Sequence, residues 1–185
     1  MTSSGTLPFH TYEDKNLVKL MNDVMAIFFI GAGATAITDL WTVLRRSAFG
    51  TPLPNFGMLG RWIAQLARGR FRAVPIASVP PVRAERVIGW SAHYSIGIAF
   101  AFLLPAVWGW QWLRHPTFMP AMIVGIATVI APLFVMQPGM GMGFAASRTP
   151  RPAAARFQSL VTHAVFGLGL YLAASFLPAN GMMVF

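Results

Sequence analysis

Four long apolar runs alternate with two arginine-rich stretches and one short turn along this chain. The clearest run is Val87 to Leu113, VIGWSAHYSIGIAFAFLLPAVWGWQWL, 27 residues without Asp, Glu, Lys or Arg. A helix needs ~20 apolar residues to cross a hydrocarbon core of ~30 Å, so this run predicts a membrane-spanning helix. Three further spans are predicted at 22–44, 119–136 and 157–177. Pro132 lies inside the third and should bend it, which neighbouring helices in a membrane tolerate. The predicted fold is all-α: one integral membrane bundle of four transmembrane helices over 22–178. Residues 1–21 read as a flexible polar tail and 179–185 as a short C-terminal one.

The centre of the first span, IGAGATA, is built of small residues. Gly31 with Thr35, and Ala32 with Ala36, have the small-xxx-small spacing that lets another helix approach closely in lipid. A rival reading is a signal peptide cleaved at Ala34-Thr35-Ala36. Asp23 inside the charge-to-apolar transition, and apolar sequence continuing through Leu44, speak against it. Met21 is an alternative start that would make the tail dispensable.

Charge then sets the expected orientation. Only 10% of the 185 residues are charged, against 56% hydrophobic, where soluble domains carry about 25% charged residues. The net charge of +9 is gathered between spans and does not read as nucleic-acid binding. Loop 45–86 holds eight arginines and loop 137–156 holds three. Arginine-rich loops stay cytoplasmic, which predicts both termini on the opposite side; for a bacterial protein that means the inner membrane with both termini in the periplasm. Within the first loop, Leu59, Trp62, Ile63 and Leu66 recur at helical spacing among arginines. This predicts a basic amphipathic helix on the membrane surface, with Arg61, Trp62, Arg68, Arg70 and Arg72 as contacts to anionic lipid or a partner. The absence of cysteine excludes disulfides, zinc–thiolate sites and thiol nucleophiles. No nucleophile elbow surrounds Ser91, Ser159 or Thr162, so no catalytic residue is expected.

The chain also carries a partial internal echo. HYSIGIAFAF at 93–102 parallels HAVFGLGLYL at 163–172, and Ala34-Thr35-Ala36-Ile37 parallels Ala127-Thr128-Val129-Ile130. Two similar helical hairpins, related by an axis along the membrane normal, would account for both matches; some transporters are built from such repeats.

Asp39 lies six residues before Arg45, His93 seven after Arg86 and His163 seven after Arg156. At ~1.5 Å per residue, the three share one layer ~9–10 Å from the arginines, with Gln137 near it. Intramembrane ionisable groups are costly and face the bundle interior. Three readings stand side by side. The groups form a hydrogen-bonded structural cluster; they hold a divalent metal through two histidines and a carboxylate; or they relay protons or ions, since histidine exchanges protons near neutral pH.

IGAGATAITDLWTVLRR, GWSAHYSIGIAFA, QPGMGMGFAASRTPRP and THAVFGLGLYL together resemble an uncharacterised bacterial membrane family, the domain of unknown function numbered 2938. The resemblance covers Met21 to Leu177 and implies a four-span inner-membrane protein, with no activity attached. The functional expectation is a small transporter, permeation or proton-relay bundle lined by Asp39, His93, His163 and Gln137. Four helices make a thin wall, so an enclosed pathway calls for a homodimer. The alternatives are a membrane metalloprotein and a non-catalytic assembly subunit.

Overall fold

The computed structural model describes residues 9–71 and 75–178, with side chains from residue 14 onward. Among these residues there are helices and turns and no strand. Helix α1 runs Phe9–Phe49. The stretch contains no proline, and its two glycines lie mid-helix at 31 and 33. Nothing therefore separates the polar segment from the span. The tail expected as flexible to residue 21 is helical from Phe9, and residues 1–8 lie outside the described residues. Gly50, at φ +64°, stops the helix, and its N–H bonds the Arg46 carbonyl at 2.9 Å. This is the left-handed glycine end that a side chain would strain.

Pro52 and Pro54 keep the next residues out of a helix until Asn55, whose side chain accepts from Met58 N–H at the start of α2, Phe56–Leu66. Helices α3 (Glu85–Ala101) and α4 (Leu103–Trp108) make one rod with a break at Phe102. Pro105 has no N–H for the Ala101 carbonyl, which explains the break. Gly109, at φ +79°, ends the rod, so the span expected to reach Leu113 stops at Trp108 and a 3-10 turn follows. Helix α5 (Phe118–Ala127) leads into a π-turn at Pro132–Met136 and the short α6, Gln137–Gly139. Helix α7 is Pro152–Ser175, with proline at its first turn. Four helices, Asp14–Phe49, Glu85–Trp108, Phe118–Gly139 and Pro152–Ser175, are long and apolar enough to cross a membrane.

They pack as a row. Helix α1 lies between α3 and α7, and α7 lies between α1 and α5, while α3 and α5 scarcely meet. Small residues make each contact. Gly31 backs onto the Gly97–Ile98 backbone, Gly169 onto Ala34, and Gly125 onto Gly167. The expected closeness at Gly31 and Thr35 is thus used against α3. A Cβ on Gly125 would meet backbone atoms of Gly167 and His163, which cannot rotate away. Gly125→Ala is expected to lower stability by ~1–3 kcal/mol, the usual cost of overpacking; thermal unfolding in detergent measures it.

Among the described residues there are two apolar cores. One lies between the span-length helices toward the arginine-poor end, around Ile30, Leu104, Val124, Phe166 and Leu170. The other lies at the arginine-rich end, where Leu59 and Trp62 of α2 pack with Ile76 and Met140. Helix α2 therefore does not lie with its apolar face toward lipid, as its pattern suggested. That face is turned onto α3 and the 137–143 loop. Gly60 sits on Glu85 and Gly89, and Gly139 lies under the Trp62 ring. The amphipathic pattern reports a buried stripe without saying what buries it.

Candidate functional site: a polar layer between two cores

Apart from Asp23, which pairs with Arg114, the buried polar side chains of the long helices are Thr35, Thr38, Thr42 and Arg45 on α1, Thr128 after α5, and Gln137 on α6. The threonines return their hydroxyls to their own helix, Thr35 to Gly31 O and Thr38 to Ala34 O. This satisfies them without a partner helix. The ionisable groups do not have that option.

Asp39 faces α3. His93 donates from Nε2 to Asp39 Oδ1 at 3.0 Å, and Tyr94 donates its hydroxyl to Oδ2 at 3.1 Å. Both carboxylate oxygens are thereby occupied, yet Asp39 and His93 keep 20% and 24% of their side-chain surface open. Aromatic rings surround the pair. Phe56, the first residue of α2, stacks on His93 at 4.4 Å between centroids and on Trp90 at 4.3 Å. Trp90, His93 and Tyr94 share one face of α3 because residues three and four apart align on a helix.

The charge arrangement sets Asp39 apart. Glu85 holds Arg61 through two hydrogen bonds of 2.9 and 3.0 Å. Asp23 holds Arg114 at 3.2 Å. Among the described residues, Asp39 is bonded to a histidine and a phenol and to no arginine. A carboxylate in a low-dielectric setting needs a countercharge. Here no permanently charged side chain bonded to Asp39 supplies it.

His163 belongs to a different site. Thr128 donates its hydroxyl to Gly125 O at 2.7 Å, so its oxygen is free to accept. His163 Nδ1 lies 3.0 Å from that oxygen and 3.2 Å from Gly125 O. Both neighbours accept, which places the proton on Nδ1 and leaves Nε2 as the basic nitrogen. Asp39, His93 and His163 share a depth but do not converge. Among the described residues no three His, Cys, Asp or Glu side chains are gathered to hold a metal ion, so the two-histidine, one-carboxylate centre is not assembled. The internal echo explains the difference. Aligning Ala34 with Ala127 puts Pro132 where the first hairpin has Asp39. The second histidine has no carboxylate because its hairpin carries a proline there. Thr128→Val is expected to cost about 1 kcal/mol, the net worth of a buried hydrogen bond. The loss would appear as a lower unfolding temperature.

Gln137 is buried, and its Nε2 reaches Ser159 Oγ only at 3.5 Å, while its Oε1 has no partner among the described residues. It does not reach the Asp39 pair. The Gln158 amide oxygen accepts from Arg45 Nη1 and Nη2 at 3.0 and 2.8 Å, tying α7 to α1.

The arginine-loop residues divide. Arg61 is buried and holds Glu85, Ile76 O and Val79 O. Its hydrogen bond to Glu85 raises the guanidinium above its ordinary range, so the pair keeps its charge. Trp62 is buried over Gly139. Neither forms the outward lipid or partner contact expected of it. Arg68 and Arg70 are exposed, and Arg72 lies outside the described residues. Phe56, Trp90 and Tyr94 were missed in the sequence. The second and third were legible from their i−3 and i+1 spacing to His93; Phe56, on another helix, was not.

The model of the family described as Protein of unknown function (DUF2938) matches residues 28–177. No curated protein and no solved structure matches the chain.

Proposed function

The chain belongs to the DUF2938 family, and we propose, from its site, that it is a small proton-translocating membrane bundle in which Asp39, His93 and Tyr94 form the proton-binding centre. The observation that carries this reading is the Asp39 carboxylate, bonded by His93 and Tyr94 and, among the described residues, by no arginine. A proton is the smallest countercharge such a group can take, and the neighbouring imidazole can receive or return it. His163 and Gln137 stand outside this centre and support helix packing. By the arginine rule, the end bearing α2 faces the cytoplasm of a bacterial inner membrane and the termini face the periplasm. The Phe56 ring then lies between the centre and the cytoplasm.

The test is proton flux in proteoliposomes loaded with a pH-sensitive dye, with a potassium gradient and valinomycin as driving force. The reading expects flux above that of protein-free vesicles. Equal flux in both would refute it.

A further inference from the structure

The same centre has the chemistry of a cation receptor, and we infer that its second ligand is a lipophilic organic cation that competes with the proton for Asp39. This inference rests on the proton-binding reading above and adds the substrate class.

The first support is charge. Asp23 and Glu85 are neutralised by Arg114 and Arg61. Asp39, by contrast, retains a negative charge that, among the described residues, no fixed cation bonded to it balances. The groups against it are few. From α3 come His93 and Tyr94. From α7, Gln158 is committed to Arg45 and His163 is turned onto Gly125 and Thr128. From α2 comes the apolar Phe56, through its stack on His93.

The second support is the rings. Trp90 lies 4.3 Å from Phe56, 6.0 Å from His93 and 6.2 Å from Tyr94 between centroids. It keeps 44% of its surface exposed, like many side chains of the span-length helices. Aromatic faces attract cations within ~6 Å, tryptophan most strongly. A carboxylate whose two partners, His93 and Tyr94, both pack near a part-exposed indole therefore suits a cation with apolar substituents. An anion would meet repulsion from Asp39, and a small hydrated metal ion would find one carboxylate where it needs several oxygens. Arrival of the cation at Asp39 makes a proton on the Asp39–His93 pair redundant. One positive charge enters and one proton leaves to solution, so the two ligands weaken each other equally by linkage.

The test is equilibrium dialysis of tetraphenylphosphonium against the full chain in detergent, above binding to micelles alone. Tetraphenylborate, the anion of similar shape, is the control. The expected result is binding of the cation and not the borate, weaker at low pH, with about one proton released per cation. Asp39→Asn abolishes it, and Trp90→Ala weakens it about three- to thirtyfold. Trp90→Phe restores part of the loss, and Arg68→Ala leaves binding unchanged. No binding by the wild type, equal binding of the borate, or undiminished binding by Asp39→Asn overturns the inference. Failure of the two readings is separable. Asp39-dependent proton flux without cation binding keeps the proton centre and overturns the substrate class. Cation binding without proton release keeps the substrate class and overturns the coupling.

Discussion

Asp39→Asn is expected to reduce proton flux in proteoliposomes to that of protein-free vesicles, a loss of at least about tenfold, or ~1.4 kcal/mol in a barrier. The substitution preserves size. The carbonyl of the new amide still accepts from Tyr94, and its NH2 group can donate to His93 once the imidazole proton moves to Nδ1. The helices therefore keep their contact, and thermal unfolding should change little. What disappears is the charge and its capacity to bind a proton. Asp39→Glu should recover part of the flux because the carboxylate returns about one methylene further out. His93→Gln should fall between the two, since it leaves the acid but removes its proton-exchanging neighbour. Flux equal to wild type in Asp39→Asn would show that protons pass elsewhere or not at all.

The second large effect is structural and comes from a glycine. Gly89→Ala is expected to detach α2 from α3. A Cβ at residue 89 would fall on the carbonyl of Phe56 and crowd the N–H of Gly60. These are backbone atoms, so the helices must separate. The direct cost is ~1–3 kcal/mol for overpacking, and it spreads. Separation loosens the Arg61–Glu85 pair and lifts Phe56 from His93 and Trp90. Limited trypsin digestion reads this out, because Arg61 is buried in the intact chain while Arg68 is exposed. Wild type should be cut at Arg68 and spared at Arg61. Gly89→Ala should be cut at both and unfold at a lower temperature. An unchanged digest would mean that α2 is held by something other than this glycine contact.

These two residues illustrate what the sequence could and could not reveal. Four long helices were legible because uncharged runs of this length have few other uses. Their boundaries moved where local chemistry intervened, at Pro105 and Gly109 in one helix and around Pro132 in another. The pairing of Asp39 with His93 was half legible. Counting from the arginines gave both residues the correct depth, but depth does not say which way a side chain points around its helix. His163 shares the depth and yet turns to α5, because its face is the face of Gly167, which packs on Gly125. The glycine four residues after each histidine carried that information, as did the proline that replaces the acid in the second hairpin. The basic loop misled for a related reason. An amphipathic stripe is the same whether lipid or protein covers it, and Gly57, Gly60 and Gly89 indicate protein only once α2 and α3 are known to touch. Arg61 looked like a surface cation and is buried because Glu85, twenty-four residues on, meets it.

The central claim is that the Asp39 carboxylate takes up and releases a proton within the helical domain. Infrared difference spectroscopy of the protein in lipid, titrated from alkaline to acid pH, tests it most directly. A protonated carboxyl has a carbonyl stretch that carboxylates lack. The account predicts that one component of such a band rises as the pH falls in wild type, shifts in Tyr94→Phe through loss of the hydroxyl donor, and is missing in Asp39→Asn, while the components of the other carboxyls remain. A titration that is identical in wild type and Asp39→Asn would contradict it, leaving Asp39 as a fixed partner that only holds α1 to α3.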